Sequence, residues 1–157
     1  MRELFLRTGN VIFAFSKPII YLLLNNSRRS RVAIVCNDQI LMVKSWLSDN
    51  KWGFPGGGIK RKESDLESVK REVYEETGIN LGNKNIVKVS QYTDKYLIFR
   101  RFLIFYKTTF NQKPATEIVK KLEIVDIKWF KVKDIIKNPN LFEDQTIIFV
   151  QKLKIKS

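Results

Sequence analysis

The sequence of 157 residues contains no histidine and a single cysteine, Cys36. The absence of histidine excludes a Ser-His-Asp or Cys-His catalytic pair, a histidine metal ligand and an imidazole general base. A single cysteine excludes an internal disulfide framework and a cysteine-rich zinc site. Any catalysis therefore depends on carboxylates, lysines, hydroxyl groups or a metal ion held by oxygen atoms.

Acidic residues are few relative to basic ones: 16 aspartates and glutamates accompany 29 lysines and arginines, a net charge of +13 at pH 7. Such a surplus raises encounter rates with polyanions such as nucleotides, RNA or anionic lipid headgroups, but it is equally typical of a lysine-rich, solvated surface. The hydrophobic fraction of 44% excludes a disordered chain and a multi-span membrane protein. The length predicts one domain with a short appendage.

The first part of the chain lacks the run of roughly 20 apolar residues that a transmembrane helix needs. Residues 11–24 are apolar apart from a Ser-Lys-Pro interruption, have arginines on both sides, and are not followed by a signal-peptide cleavage site. We expect residues 1–29 to form an N-terminal helical arm. Two interpretations stay open: the arm packs on the domain or on a partner, such as the second copy in a homodimer, or residues 11–24 lie on an anionic membrane surface.

Residues 30–157 have the alternating pattern of a compact α/β domain. The pattern predicts two adjacent strands joined by a turn at Asn37-Asp38, and a glycine-dense segment from Trp52 to Gly58 that is too rich in glycine for a strand interior. A capping box at Ser64 and Glu67 and a left-handed stop at Gly78 delimit the most clearly marked helix. The remaining predicted strands cover 86–90, 96–107 and 124–130, and the remaining helices cover 132–137 and 143–154.

Three carboxylates share one face of that helix. At about 100° per residue, Glu72, Glu75 and Glu76 lie within one arc of about 100°, next to an apolar stripe of Leu66, Val69 and Val73. Like charges at these spacings repel, and more strongly when desolvated. A divalent cation such as Mg²⁺ or Mn²⁺ would balance them, because hard cations prefer carboxylate oxygens; a solvated face paired with neighbouring basic residues is the alternative.

The helix and its flanks form a longer pattern: Gly57-x5-Glu63-x7-Arg71-Glu72-Val-Tyr-Glu75-Glu76-Thr-Gly78-Ile79. This resembles the Nudix box, G-x5-E-x7-R-E-U-x-E-E-x-G-U with U apolar, at every specified position. The preceding Trp-Gly-Phe-Pro-Gly-Gly is also similar to the segment that leads into the box in the family. The chain thus resembles the MutT-like Nudix hydrolase family, which implies an α/β/α sandwich built on a mixed β-sheet.

The resemblance implies a cytoplasmic, metal-dependent hydrolase. Its substrate would be a small-molecule nucleotide or nucleotide derivative, a nucleoside diphosphate linked to another group, whose pyrophosphate bond is cleaved by water attack on phosphorus. It implies that Glu63 and Arg71 pair and orient the helix carboxylates, and that Mg²⁺ or Mn²⁺ is held by Gly57, Glu72, Glu75 and Glu76. The alternative is a non-catalytic module of the same fold that binds a nucleotide or RNA.

The family often supplies one more acid from a segment that leads into a Trp-Phe pair. Glu123 precedes Trp129-Phe130 at a similar distance, so the resemblance makes Glu123 a fourth metal ligand or the general base. Asp126 and Glu117 are the alternatives. The alternative to a functional role is an acid on a solvated strand edge.

Two positions depart from the family pattern. Lys60 stands where many members carry a glutamate, which leaves the number of metal ions open. Lys62 stands where glycine usually precedes the first box glutamate, and this costs turn strain if the position requires a positive φ.

The sequence contains no motif that defines the substrate. Aromatic rings able to stack on a base occur at Trp46, Trp52 and Tyr92, and cations able to meet phosphate occur at Lys44 and Arg101. Core packing or solvated charge is the alternative for each of these five residues.

Overall fold

The computed structural model describes residues 27–96 and 99–153. The predicted arm, residues 1–29, lies outside the described residues except for its last three, which belong to strand β1 (Ser27–Cys36). This strand therefore begins before residue 30, where we placed the start of the domain. Within the described part of the chain, no helix is both long enough and apolar enough to cross a membrane.

A single mixed sheet organises the domain. Its other strands are β2 (Gln39–Ser45), β3 (Trp52–Gly53), β4 (Val87–Tyr96), β5 (Phe99–Phe110) and β6 (Ile124–Lys131). The spatial order is β3–β2–β1–β5–β4, and β6 pairs with β2. The β1–β5 pairing is parallel and the other strand pairings are antiparallel, so the predicted mixed sheet is confirmed.

A glycine loop fills a gap in this sheet. Strands β1 and β2 pair only next to the predicted turn. The N-terminal half of β1 pairs with the loop 55–59 instead. The N–H groups of Val32 and Ser30 donate to the carbonyl oxygens of Pro55 and Gly57, both at 3.0 Å. The loop is thereby fixed to the edge of β1.

Helix α1 (Asp65–Thr77) begins and ends as the sequence predicts. The Ser64 hydroxyl accepts a hydrogen bond from the Glu67 N–H at 3.2 Å, and the Glu67 carboxylate accepts one from the Ser64 N–H at 2.8 Å. Gly78, at φ 72°, ends the helix in the left-handed conformation.

The predicted apolar stripe of α1 is wrong at Leu66. Val69 and Val73 are fully buried, whereas Leu66 is 38% exposed. The stripe therefore reaches the core from Val69 onward, and the first turn of the helix leaves Leu66 at the surface. On another face of the helix, the buried Ser68 hydroxyl donates to the carbonyl oxygen of Gly58 at 3.3 Å.

Helices cover both faces of the sheet. The face under α1 contains a cluster that includes Val32, Ile34, Leu41, Ile104, Val69 and Val73. The opposite face is covered by α2 (Val132–Lys137) and α3 (Asp144–Lys152), in a cluster that includes Ala33, Val35, Leu103, Phe105, Ile135 and Phe149. The α/β/α sandwich implied by the resemblance is therefore confirmed.

Two segments differ from the prediction. The glycine-dense segment begins with the two strand residues of β3, which pair with β2. Strands β4 and β5 are longer than predicted because they pair with each other as one antiparallel hairpin as far as Tyr96 and Phe99. Their polar and charged residues hide this length from a pattern based on apolar runs.

Candidate active site

The glycine loop brings its backbone against the carboxylates of α1. A Cβ atom added at Gly57 would lie 2.5 Å from Oε1 of Glu72. Gly56 has a φ of 133°, and a Cβ there would collide with the Ser30 carbonyl oxygen. Only glycine satisfies both close approaches. The Gly57 carbonyl, which the resemblance placed near a metal, accepts the Ser30 N–H and retains one lone pair.

Arg71 holds two of the predicted acids in place. Its Nε and Nη2 donate to the two carboxylate oxygens of Glu63 at 2.7 and 2.9 Å, a bidentate pair. Its Nη1 donates to Oε1 of Glu72 at 2.7 Å. The Arg71 hydrogen bonds lower the pKa of Glu63 to about 2. Glu63 therefore acts on Glu72 through Arg71, as the resemblance implies.

Lys120 lies among three carboxylates. Its Nζ is 3.4 Å from Oε2 of Glu72, 3.3 Å from Oε2 of Glu75 and 3.0 Å from Oε2 of Glu123. Burial alone would lower the pKa of Lys120, but the three neighbouring carboxylates have the larger combined effect and raise this pKa. Burial likewise opposes the charge of Glu75, and Lys120 and Arg71 outweigh it and lower the pKa of Glu75. One ammonium group thus connects two helix carboxylates to Glu123.

Glu76 is the most deeply buried member of this group, with 3% of its surface exposed. Its Oε2 accepts a hydrogen bond from the Gly56 N–H at 2.8 Å. Burial raises the pKa of Glu76 to about 8, against the opposing effects of Arg31 and the Gly56 N–H. We refer to Glu72, Glu75, Glu76 and Glu123 as the acidic cluster.

The acidic cluster fits a hard divalent cation in its chemistry. Carboxylate oxygens are the ligands that Mg²⁺ and Mn²⁺ prefer, and Lys120 shows that three of these carboxylates accommodate a cation between them. Within residues 27–96 and 99–153, no group of three or more acidic side chains has a ready-made metal-binding arrangement. The oxygens are engaged by Arg71 and Lys120 instead.

A cavity of about 370 Å³ opens beside the acidic cluster. Glu76, Glu123 and Gly56 form one of its walls. Arg29, Arg31 and Arg101, which we call the arginine wall, line another part of it, with Glu143 nearby. The volume is in the range of small-molecule sites.

The comparison with protein families decides the identity of this site. The family model of the NUDIX domain matches residues 26–151.

The chain belongs to the Nudix family.

Known proteins support the same assignment. The chain is 28% identical to human diphosphoinositol polyphosphate phosphohydrolase 3-alpha over 134 residues, which cover 81% of this chain and 79% of the relative. It is 29% identical over 97 residues to mRNA decapping complex subunit 2 of Schizosaccharomyces pombe, which cover 62% of this chain and 13% of that protein. The crystal structure of a MutT NUDIX hydrolase from Burkholderia pseudomallei superposes with a TM-score of 0.69 at 23% identity, covering 82% of this chain and 98% of that one.

These findings confirm the predicted family and the predicted class of enzyme, a pyrophosphohydrolase. Among the predicted Nudix site residues, the structure brings Glu63, Arg71, Glu72, Glu75 and Glu123 into one network of ion pairs, and Glu76 borders the same cavity as Glu123. The two alternatives to Glu123 lie elsewhere. Glu117 contacts Gly78 at the end of α1, and the Asp126 carboxylate accepts the N–H of Ile127.

Of the five predicted substrate contacts, Arg101 alone borders the Nudix cavity. The ring of Trp52, predicted to stack on a base, is buried and lies edge-on to Phe130 at 4.9 Å. Lys44 lies over that ring and bonds Asn50, Trp46 donates to the Leu122 carbonyl, and Tyr92 stacks on Phe105. These four positions gain no support as substrate contacts.

The departures from the Nudix pattern affect the turn before α1. Lys62 has a φ of 68°, so the strain that we expected at this position is present. The Lys60 N–H donates to Oε2 of Glu63 at 2.8 Å. Because this donor belongs to the backbone, it helps to hold Glu63 whichever side chain occupies position 60.

The sequence interpretation missed Lys120, Arg29, Arg31 and Glu143. Lys120 lies in a lysine-containing loop where nothing distinguishes one lysine from another. The predicted elements separated the two arginines: Arg31 begins the first predicted strand, whereas Arg29 falls in the predicted arm. Only a strand that starts earlier would have placed them on one face.

Proposed function

We propose that this Nudix protein hydrolyses a phosphoanhydride bond in a nucleotide or nucleotide derivative, in the presence of Mg²⁺ or Mn²⁺. The observation that most supports this proposal is the position of Lys120, whose ammonium group lies 3.0 to 3.4 Å from oxygens of Glu72, Glu75 and Glu123. Three separate carboxylates face one cation there, and one of them comes from outside the box.

The residues that would hold the divalent cation are the acidic cluster and the Gly57 carbonyl. A bound cation supplies charge neutralisation at the phosphates and lowers the pKa of the attacking water. Arg71 orients Glu72 through its 2.7 Å hydrogen bond. Glu63 in turn fixes Arg71 through the bidentate pair.

Glu123 is the acid that accepts the proton of the attacking water, or else a fourth ligand. In the reaction, the water oxygen forms a new bond to phosphorus and the bridging oxygen leaves with the electron pair of the broken bond. The water proton passes to a carboxylate within hydrogen-bond reach. Glu123 suits this task because it lines the cavity together with Glu76 and comes from outside the box.

The relatives' names support a phosphoanhydride substrate without specifying it. One relative is named for diphosphoinositol polyphosphates and another for mRNA decapping. RNA as a partner, a homodimer, membrane contact through residues 11–24 and a cytoplasmic location stay predictions.

A substrate panel tests the proposal. The full-length chain is incubated with ADP-ribose, diadenosine tetraphosphate, a diphosphoinositol polyphosphate and capped RNA, with Mg²⁺, with Mn²⁺ and with chelator. We expect turnover of at least one substrate with metal and none with chelator. Binding of a nucleotide without turnover of any substrate would contradict the proposal and favour the non-catalytic module.

A further inference from the structure

The arginine wall is built by the register of two parallel strands. Arg29 and Arg31 alternate along β1 and therefore point to one face of the sheet. In β5, Arg101 lies opposite Ser27, and Leu103 lies opposite Arg29, so Arg101 belongs to the same face. All three side chains border the cavity that also contains Glu76 and Glu123.

Hydrogen-bond donors of this wall are buried without acceptors. The Nε atoms of Arg29 and Arg31 are inaccessible to solvent and have no hydrogen-bond partner in the part of the chain that the structure describes. Arg31 is fixed at its other end, where Nη1 donates to the Phe54 carbonyl at 2.7 Å. A buried donor without an acceptor is costly, and an unpaired buried charge more so.

Like charge accumulates on the same wall. Burial, with added repulsion from Arg31 and Arg101, lowers the pKa of Arg29 to about 10, although Glu143 and Glu76 oppose this shift. Glu143 is the acid beside the wall; its Oε2 accepts a hydrogen bond from Gln145 at 3.0 Å and lies against Gly53. Glu143 and Glu76 are the carboxylates that act on Arg29, and neither provides an acceptor for the Nε–H groups of Arg29 and Arg31.

We propose that Arg29, Arg31 and Arg101 form a phosphate-binding subsite, and that the substrate carries phosphate on the part of the molecule that is not cleaved. Guanidinium groups bind phosphate oxygens in bidentate geometry, and several of them on one rigid sheet face suit a group with more than one phosphate. This inference rests on the proposed function, because it concerns the group attached to the phosphoanhydride that would be hydrolysed at the acidic cluster.

A binding experiment without metal tests the subsite separately from catalysis. Inositol hexakisphosphate is titrated calorimetrically into the full-length chain in chelator. We expect Arg29→Gln to weaken binding about tenfold or more, since a lost charge-assisted contact has roughly that effect. We expect Arg29→Lys to recover part of the loss.

Arg28→Gln is the matched control, because it removes the same charge one residue away. Arg28 lies on the other face of β1 and pairs with Asp65 at 2.8 Å. We expect its binding to stay within about twofold of the unmodified chain. Equal losses for Arg28→Gln and Arg29→Gln, with native circular dichroism, would overturn the subsite, because net charge alone would then explain binding.

A second arm compares the hydrolysis of two phosphoanhydrides. Diphosphoinositol pentakisphosphate carries further phosphates on the group attached to its phosphoanhydride, whereas the ribose attached in ADP-ribose carries none. We expect Arg29→Gln to lower kcat/KM about tenfold or more for the first and less than about threefold for the second. Equal losses for both would contradict the inference. If Arg29→Gln weakens binding of inositol hexakisphosphate but no substrate is hydrolysed, the subsite is upheld and the proposed function is rejected. If substrate is hydrolysed but Arg29→Gln leaves binding unchanged, the proposed function is upheld and the subsite is rejected.

Discussion

Glu76 and Glu123 of the acidic cluster line the same cavity as the arginine wall, but the two regions differ in how their charges are balanced. In the acidic cluster, Arg71 and Lys120 are within ion-pair distance of carboxylate oxygens. On the arginine wall, the Nε atoms of Arg29 and Arg31 have no partner among the described residues. The acids therefore already face a cation from the protein, whereas the Nε–H groups of two buried guanidinium groups lack an acceptor. If the arginine wall binds phosphate as proposed, the ligand carries negative charge beside both regions.

The two regions also differ in origin. Three acids of the cluster come from one turn and a half of α1, so their proximity follows from helical geometry. The arginines come from two strands far apart in sequence, and only the parallel register brings them together. The following changes test each side of this comparison, beginning with the largest expected effect.

Removing one charge from the acidic cluster should affect turnover most. For Glu75→Gln and for Glu76→Gln, we expect kcat to fall by roughly 10² or more, because the lost contacts stabilise the transition state. Glutamine retains the shape of the side chain and, at position 76, an acceptor for the Gly56 N–H. Steady-state kinetics at saturating Mg²⁺ measures the effect.

Glu67→Gln is the matched control on the same helix, since glutamine also completes a capping box. It should retain near-normal turnover. Near-normal turnover in both cluster variants, with native circular dichroism, would reject the assignment of the cluster.

Glu123 tests whether the acid outside the box belongs to the cluster. We expect Glu123→Ala to lower kcat by about tenfold or more and to affect KM less, because a base acts on the attacking water. Asp126→Ala and Glu117→Ala should each change kcat little, since neither residue lines the cavity that Glu123 borders. A large loss in one of these two, with Glu123→Ala near neutral, would shift the role to that residue. Mild effects in all three would direct the search for the base to Glu63 and Glu76.

Lys120→Gln should show that this lysine balances the acids when no divalent cation is present. In chelator, we expect the variant to unfold at a lower temperature than the unmodified chain, because Glu72, Glu75 and Glu123 would then repel one another. Added Mg²⁺ should reduce this difference. Differential scanning fluorimetry measures both effects, with Lys121→Gln as the control for removing a neighbouring exposed charge. A deficit equal in size with and without Mg²⁺ would contradict this role.

The Glu63–Arg71 pair should give the smallest effect, visible as a dependence of stability on pH. The folded-state pKa of Glu63 is about 2, well below its ordinary value of 4.5. Its contribution to stability is therefore present above about pH 4.5 and is lost as the pH falls towards 2. Urea unfolding should show a Glu63→Gln deficit at pH 7 that shrinks towards pH 2, and Glu117→Gln should show no such trend. A deficit that is constant across this range would contradict the ion pair.

Sequence reasoning reached the parts of the site that local geometry encodes. The capping box, the left-handed Gly78 and the acid arc depend on residues within one helix, and each lies where the pattern predicts. Leu66 was wrong because helical periodicity gives the direction of a side chain but does not reveal where along the helix the core ends. Trp52, predicted as a substrate contact, is buried, because an aromatic ring near a glycine loop serves equally well as part of the core.

The remainder depends on contacts between segments distant in sequence. Lys120 reaches Glu72 and Glu75 from the loop before β6, 48 residues from Glu72 along the chain. The arginine wall requires the register of β1 against β5, which no local pattern specifies. Both features were therefore found only in the folded chain.

The most direct test of the central claim is Mn²⁺ binding to the full-length chain, followed by electron paramagnetic resonance of the free ion. The account predicts that the unmodified chain binds Mn²⁺, that Glu75→Gln and Glu123→Gln each weaken binding about tenfold or more, and that Glu117→Gln does not. Mn²⁺ affinity that is the same in all four proteins would contradict the claim that the acidic cluster is a divalent-cation site.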